Sequence, residues 1–160
     1  MEAIEILIDI RKIVRSINLE SKRVQKDFGI SIPQLLCLGH INRTQNKVAT
    51  HKELMDLLSL NSSTVTGIIN RLEKNKLVKR LPKSGDKRVT SIGITPEGGE
   101  VVLKSPDILH DQLVNKIRGL PQSTQIKIKE ALTIIVEAME IEEMEAAPLI
   151  TLNDPIESSL

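Results

Sequence analysis

The sequence predicts a mainly α-helical fold with a small β-hairpin wing, and three observations between Leu60 and Thr95 carry that prediction. The first is a short amphipathic helix. Asn61 is a favourable N-cap, and Val65, Ile68, Ile69 and Leu72 recur at helical spacing, so one face is buried. Ser63, Thr66, Gly67, Asn70, Arg71 and Lys74 fall on the opposite face. The second is a pair of alternating segments, Lys76 to Leu81 and Val89 to Ile94, separated by Pro82, Ser84 and Gly85. The third is charge. From Asn61 to Thr90 eight basic residues face two acidic ones, a net of +6 in a chain whose total is only +1.

A polar-faced helix followed by a basic hairpin is the order a winged helix-turn-helix requires. Small polar residues at the helix start let its first turn approach base edges in the major groove. A basic hairpin then reaches flanking phosphates or the minor groove. A concentrated basic patch on a near-neutral chain is the electrostatic footprint of a double-stranded DNA site. A solvated lysine-rich surface is the plainer reading, but cap, periodicity, hairpin and charge agree with one another.

The motifs Thr64-Val65-Thr66, Arg71 to Val78, Gly85-Asp86-Lys87-Arg88 and Ile94-Thr95-Pro96-Glu97-Gly98 resemble the pattern of MarR-type transcriptional regulators. That resemblance spans nearly the whole chain. It implies a homodimer with one winged helix per subunit, bound across an approximately palindromic operator, most often as a repressor. It also implies that Arg88 enters the minor groove while Asp86 helps to hold it. One position departs: Gly67 stands where many relatives carry an arginine, so one DNA contact is missing.

The domain organisation expected is an N-terminal dimerisation helix at 1–30, a winged helix-turn-helix at 31–98, C-terminal dimerisation helices at 99–147 and a tail at 148–160. Ala3 to Lys26 reads as one helix. Its stripe of Ile4, Leu7, Ile8, Ile10, Ile13, Val14 and Ile17 is too wide for a single neighbour to cover. Phe28-Gly29-Ile30 breaks it. Ser31 caps the next helix, Pro33 falls in its first turn, and Leu35, Leu36, Leu38 and Ile41 form its apolar face. Asn42 to Ala49 reads as a loop. Thr50-His51-Lys52-Glu53 is a capping box that opens a short helix bearing Leu54, Leu57 and Leu58. Ser59-Leu60 then turns into the polar-faced helix, completing the helix-turn-helix.

Thr95 and Pro96 start the helix after the wing. Gly98-Gly99 and Ser105-Pro106 weaken it, and the pattern resumes from Asp107 to Arg118. Gln122 to Ala147 reads as a last long helix, again with more apolar surface than one lobe can bury. From Glu137 onward there are seven acidic residues and no basic ones, which keeps that end away from DNA.

The candidate DNA contacts are Ser62, Ser63, Thr64, Thr66, Asn70, Arg71 and Lys74 on the recognition helix, and Lys83, Asp86, Lys87 and Arg88 on the wing. Thr50, His51 and Lys52 are candidate phosphate contacts. The resemblance further implies a small-molecule effector between the DNA-binding lobe and the dimer helices, where Arg15, Ser21, Lys22, Arg23, Gln34 and His40 are candidate ligand groups. Ile17 to Arg23 and Ile32 to Leu36 also look similar to regulators of compatible-solute synthesis genes, which implies osmotic stress as the signal.

Composition narrows the other classes. One aromatic residue, Phe28, is too few for base stacking on single strands or RNA. The single Cys37 forms no intrachain disulfide and fits a reducing cytoplasm. Cys37 and His40 lack the further ligands a metal needs, so no metal or cofactor is expected. No apolar run reaches the roughly 18 residues of a membrane span. No nucleophile–base pair or phosphate loop points to an enzyme. The remaining alternative is a winged helix used as a protein-interaction module without DNA.

Overall fold

The computed structural model describes residues 3–82, 85, 89–105 and 108–144. The chain divides into two compact units, Met1–Pro106 with Ala147–Leu160, and Asp107–Ala146.

In the first unit, helix α1 (Ala3–Phe28) ends at Gly29, whose φ of +68° closes the helix in the left-handed region. Helix α2 (Ile32–Arg43) follows and is the centre of the core. Ser31 accepts from the Gln34 amide while Gln34 Oε1 accepts from the Ser31 N–H at 2.7 Å, a complete capping box. The sequence marked an apolar face on α2. The structure instead buries it all round, with Ile32, Pro33, Cys37 and Gly39 joining Leu35, Leu36, Leu38 and Ile41. Its low amphipathicity is the signature of a helix with neighbours on every side. Those neighbours are α1, helix α3 (His51–Leu58), helix α4 (Ser62–Lys74), helix α5 (Pro96–Lys104) and the sheet.

The sheet corrects one expectation. Residues 48–50 are not simply loop and cap but strand β1 (Val48–Thr50), so the hairpin of β2 (Val78–Arg80) and β3 (Ser91–Ile94) becomes a three-stranded antiparallel sheet in the order β1-β3-β2. Register pairs Ala49 with Ile92 and Lys79 with Gly93. The extended backbone of Thr50 serves both as strand end and as N-cap of α3, which is why the cap alone was visible in sequence. Within α3, Leu54 and Leu58 are buried, whereas Leu57 lies outward.

The sequence pattern marks Gly98 as a weak point of α5. Its backbone instead lies so close to the turn after α4 that an added Cβ would sit 2.2 Å from the Leu77 carbonyl oxygen. Thr95 locks the same junction: its hydroxyl donates to Lys76 O at 2.7 Å and accepts from the Gly98 N–H at 3.1 Å.

The second unit holds α6 (Leu109–Arg118) and α7 (Gln122–Ala138), joined through Gly119-Leu120-Pro121. The last helix is shorter than its pattern suggested. It stops at Ala138, where Glu140 turns to φ 56° and Ile141 N–H bonds back to Val136 O at 3.3 Å. Glu137, Glu140, Glu142 and Glu143 cluster at this end, where carboxylates oppose the negative pole of the helix dipole. Neither helix of this unit has a buried residue within its span. Among the described residues no helix is long and apolar enough to cross a membrane.

Candidate nucleic-acid interface

The recognition helix is organised from its cap outward. Asn61 Oδ1 accepts from the Thr64 N–H at 2.9 Å and from the Ser63 hydroxyl at 2.8 Å, fixing the first turn. Val65, Ile68, Ile69 and Leu72 are buried, so the opposite face is turned outward. Ser62, Ser63, Thr64, Asn70 and Lys74 are exposed there, with Thr66, Gly67 and Arg71 half-buried. The helix closes at Asn75 and Lys76. Lys76 adopts φ 60°, and Leu77 N–H reaches back to Leu72 O at 2.9 Å.

The helix-turn-helix is tied together by a side-chain bond. His51 Nε2 lies 3.0 Å from Thr66 Oγ1. The Thr66 hydroxyl donates its one hydrogen to Ser62 O at 2.8 Å, so it accepts from His51, and Nε2 carries a proton. Thr50 is likewise committed: its hydroxyl accepts from the Glu53 N–H at 3.2 Å and donates to Glu53 Oε2 at 2.8 Å. The backbone N–H and hydroxyl of Thr50 together hold the Glu53 carboxyl below its usual pKa. Lys52 is exposed beside them. Thr50 and His51 thus have structural partners besides any phosphate.

Arg80, counted in the basic patch but not among the contact candidates, proves to be a connector. From β2 its Nη2 donates to Asn70 Oδ1 at 2.6 Å and its Nε to Glu73 Oε2 at 3.2 Å. Lys74, Lys76, Lys79 and Arg80 are all exposed and extend one basic edge from the end of α4 onto β2. The wing candidates Lys83, Asp86, Lys87 and Arg88 lie outside the described residues.

Two of the candidate effector groups, Arg15 and Lys22, lie together along α1. An open groove along α1, with a volume of ≈ 410 Å³, is lined among the described residues by Arg11, Val14, Arg15, Asn18, Leu19 and Lys22. It holds Arg15 and Lys22 from the expected set. Arg23 is exposed, with its guanidinium 3.7 Å from Glu20 Oε1. Ser21 and Gln34 are buried, and the Gln34 amide is occupied by the α2 cap. His40 Nε2 is buried with no hydrogen-bond partner. Cys37 is fully buried, and burial pushes its thiol pKa up to about 12, so it stays protonated and packs as a small apolar group.

Residues 30–90 match the model of the MarR family. The Bacillus subtilis (strain 168) protein named uncharacterized HTH-type transcriptional regulator YsmB is 31% identical over 106 residues, covering 64% of this chain and 71% of its own length. This chain belongs to the MarR family. It is a DNA-binding transcriptional regulator and not an enzyme. The HTH-type transcriptional repressor IacR of Pseudomonas putida is similar at 22% identity, over 74% of this chain and 70% of that protein. In fold, the chain resembles Staphylococcus aureus MepR, solved as a MepR–DNA complex. The TM-score is 0.59 at 22% identity, with 81% of this chain and 94% of that one covered.

Proposed function

We propose that this MarR-family regulator is a homodimeric repressor that reads an approximately palindromic duplex. One observation carries the reading: a capped helix whose outward face is small, polar or basic, apart from Glu73 paired with Arg80, continues directly into a basic strand edge. Ser62, Ser63, Thr64, Thr66, Asn70 and Arg71 face the major groove. Lys74, Lys83, Lys87, Thr50, His51 and Lys52 meet phosphates, and Arg88, held by Asp86, enters the minor groove. Because Ser and Thr discriminate bases weakly, much of the affinity comes from phosphate contacts and groove shape. IacR, a similar protein, is named a repressor, and MepR was solved on DNA, which supports the assignment.

Dimerisation through residues 1–30 and 99–147 is part of this reading. It is supported by the apolar side chains that α1 and α7 leave exposed. A small-molecule effector is a further part. The α1 groove, lined by Arg11, Arg15 and Lys22 together with Val14 and Leu19, suits an amphipathic anion. Such a ligand acts only if it binds the DNA-competent and DNA-incompetent spacings unequally.

The test is selection of bound duplexes from a random library by the purified chain. The expected product is an inverted repeat with half-sites about one helical turn apart. Binding that falls steeply with salt but enriches no sequence would leave a non-specific DNA binder. Absence of binding in low salt would overturn the DNA reading in favour of a protein-interaction module.

A further inference from the structure

Arg80 does more than add charge to the basic edge. Asn70 and Glu73 lie three residues apart on α4, so their side chains neighbour one another, and the Arg80 guanidinium spans both. Chemistry fixes which end of the Asn70 amide faces it. A guanidinium carries five donors and no acceptor, so only the carbonyl oxygen can sit 2.6 Å from Nη2. The NH₂ end of this exposed side chain is therefore the end left for DNA.

That orientation matters for readout. An asparagine reads adenine with both ends of its amide, donating to N7 and accepting from the N6 amino group. Guanine instead offers two acceptors, N7 and O6, in the major groove. In this chain Oδ1 is already engaged by a cation. Its second lone pair remains, but a base amino group approaching it would bring positively polarised hydrogens beside the guanidinium. Donation to a pair of acceptors meets no such repulsion.

We propose that Arg80 is a positioning residue for DNA readout: it holds Asn70 as a donor, so that the recognition helix selects guanine rather than adenine at the base pair Asn70 faces. This rests on the DNA-reading function proposed above and names a specificity determinant within it. Arg80 need not touch DNA to act. The Glu73 carboxylate keeps its guanidinium on α4.

The test compares the duplexes enriched by the full chain with those enriched by Asn70→Ala, Arg80→Met and Asn70→Asp. Asn70→Ala locates the base pair by losing preference there, on the order of ten- to a hundred-fold, with the other positions unchanged. The wild-type chain is expected to prefer guanine at that pair. Arg80→Met keeps the apolar stem and removes the donors. It frees Oδ1 and is expected to raise adenine relative to guanine about tenfold at that pair alone. Asn70→Asp keeps the Arg80 contact but replaces the donors with oxygen, and is expected to shift preference toward cytosine, whose amino group donates.

The proposal falls if the wild-type chain prefers adenine at that pair, or if Asn70→Ala changes no position selectively. It falls equally if Arg80→Met lowers affinity evenly across all sequences, which is the mark of a phosphate contact or a purely structural role. Should Arg80→Met not fold, Asn70→Asp decides, and retention of guanine overturns the idea. A wild-type chain that enriches no sequence at all overturns the DNA-reading function itself, an outcome distinct from an enriched sequence whose guanine is indifferent to Arg80.

Discussion

The winged-helix unit and the terminal helices treat their apolar residues in opposite ways. Ile32, Leu38, Ile41, Leu54, Ile69 and Ile92 have essentially no contact with solvent. On α1, Ile4 is 60% exposed and Ile13 56%, and on α7, Ile134 is 66% exposed. Both regions are rich in aliphatic residues, so composition does not separate them. What separates them is whether one chain supplies enough neighbours. α2 is packed on every side within its own unit, whereas α1 and α7 leave many of their apolar side chains exposed. A closed core and an exposed apolar surface therefore follow from the same kinds of side chain in different surroundings.

The comparison can be broken most severely at Gly98. Gly98→Ala forces a methyl group into the Leu77 carbonyl, and the winged-helix unit is expected to lose about 3 kcal/mol, read as a lower denaturation midpoint. An unchanged midpoint would mean that α5 can move away from that turn freely. The terminal helices should respond otherwise. Leu7→Glu with Ile134→Lys is expected to weaken self-association about a hundred-fold, or about 2.7 kcal/mol, in sedimentation, while the lobe keeps its fold. Association that survives both charges would remove these faces from the interface.

Arg88→Ala should cost about 2 kcal/mol of specific duplex binding and leave association untouched. Equal operator affinity in a titration would take the wing out of the readout.

Glu53 gives a smaller, pH-dependent effect. Its carboxyl pKa is lowered in the fold, first by the Thr50 N–H and then by the Thr50 hydroxyl. The unfolded chain therefore binds this proton more readily. The resulting stabilisation is fully present above the ordinary glutamate value of about 4.3 and is lost as pH falls through the lowered one. Because the pair is exposed, less than about 1 kcal/mol is expected. Glu53→Gln should flatten that part of the stability–pH curve, and a curve that superimposes on the wild type would deny the contact. The smallest expected effect has the opposite sign. Gly67 lies within α4 with open space where a Cβ would project, so Gly67→Ala should stabilise the lobe by about 0.5–1 kcal/mol. If duplex affinity falls as stability rises, the bare backbone at Gly67 is where DNA approaches closely.

Gly67 and Gly98 also show how far the sequence could be read. Both sit in helical patterns, and both count as weak helix formers. Only the packed structure distinguishes the one that faces open space from the one pressed against a carbonyl. Arg80 is similar: its charge was legible, but its role as a bridge from β2 to α4 depends on a contact ten residues away. The short β1 leaves no mark in the sequence because three residues carry almost no periodicity and their partner lies beyond the wing.

The sequence by itself determined what depends on near neighbours: the Ser31, Thr50, Asn61 and Thr95 caps, the buried and outward faces of α4, the turn at Gly29 and the concentration of positive charge. The caps, the turn and the faces are settled by residues one or two helical turns apart, where spacing alone fixes geometry, and the charge is a count along the chain. Tertiary structure decided the rest. It set the third strand, the all-round burial of α2, the His51–Thr66 tie, the close approach at Gly98 and the orientation of the Asn70 amide. These rest on groups far apart in the chain, whose meeting is fixed by how the helices and sheet pack together and not by any local pattern.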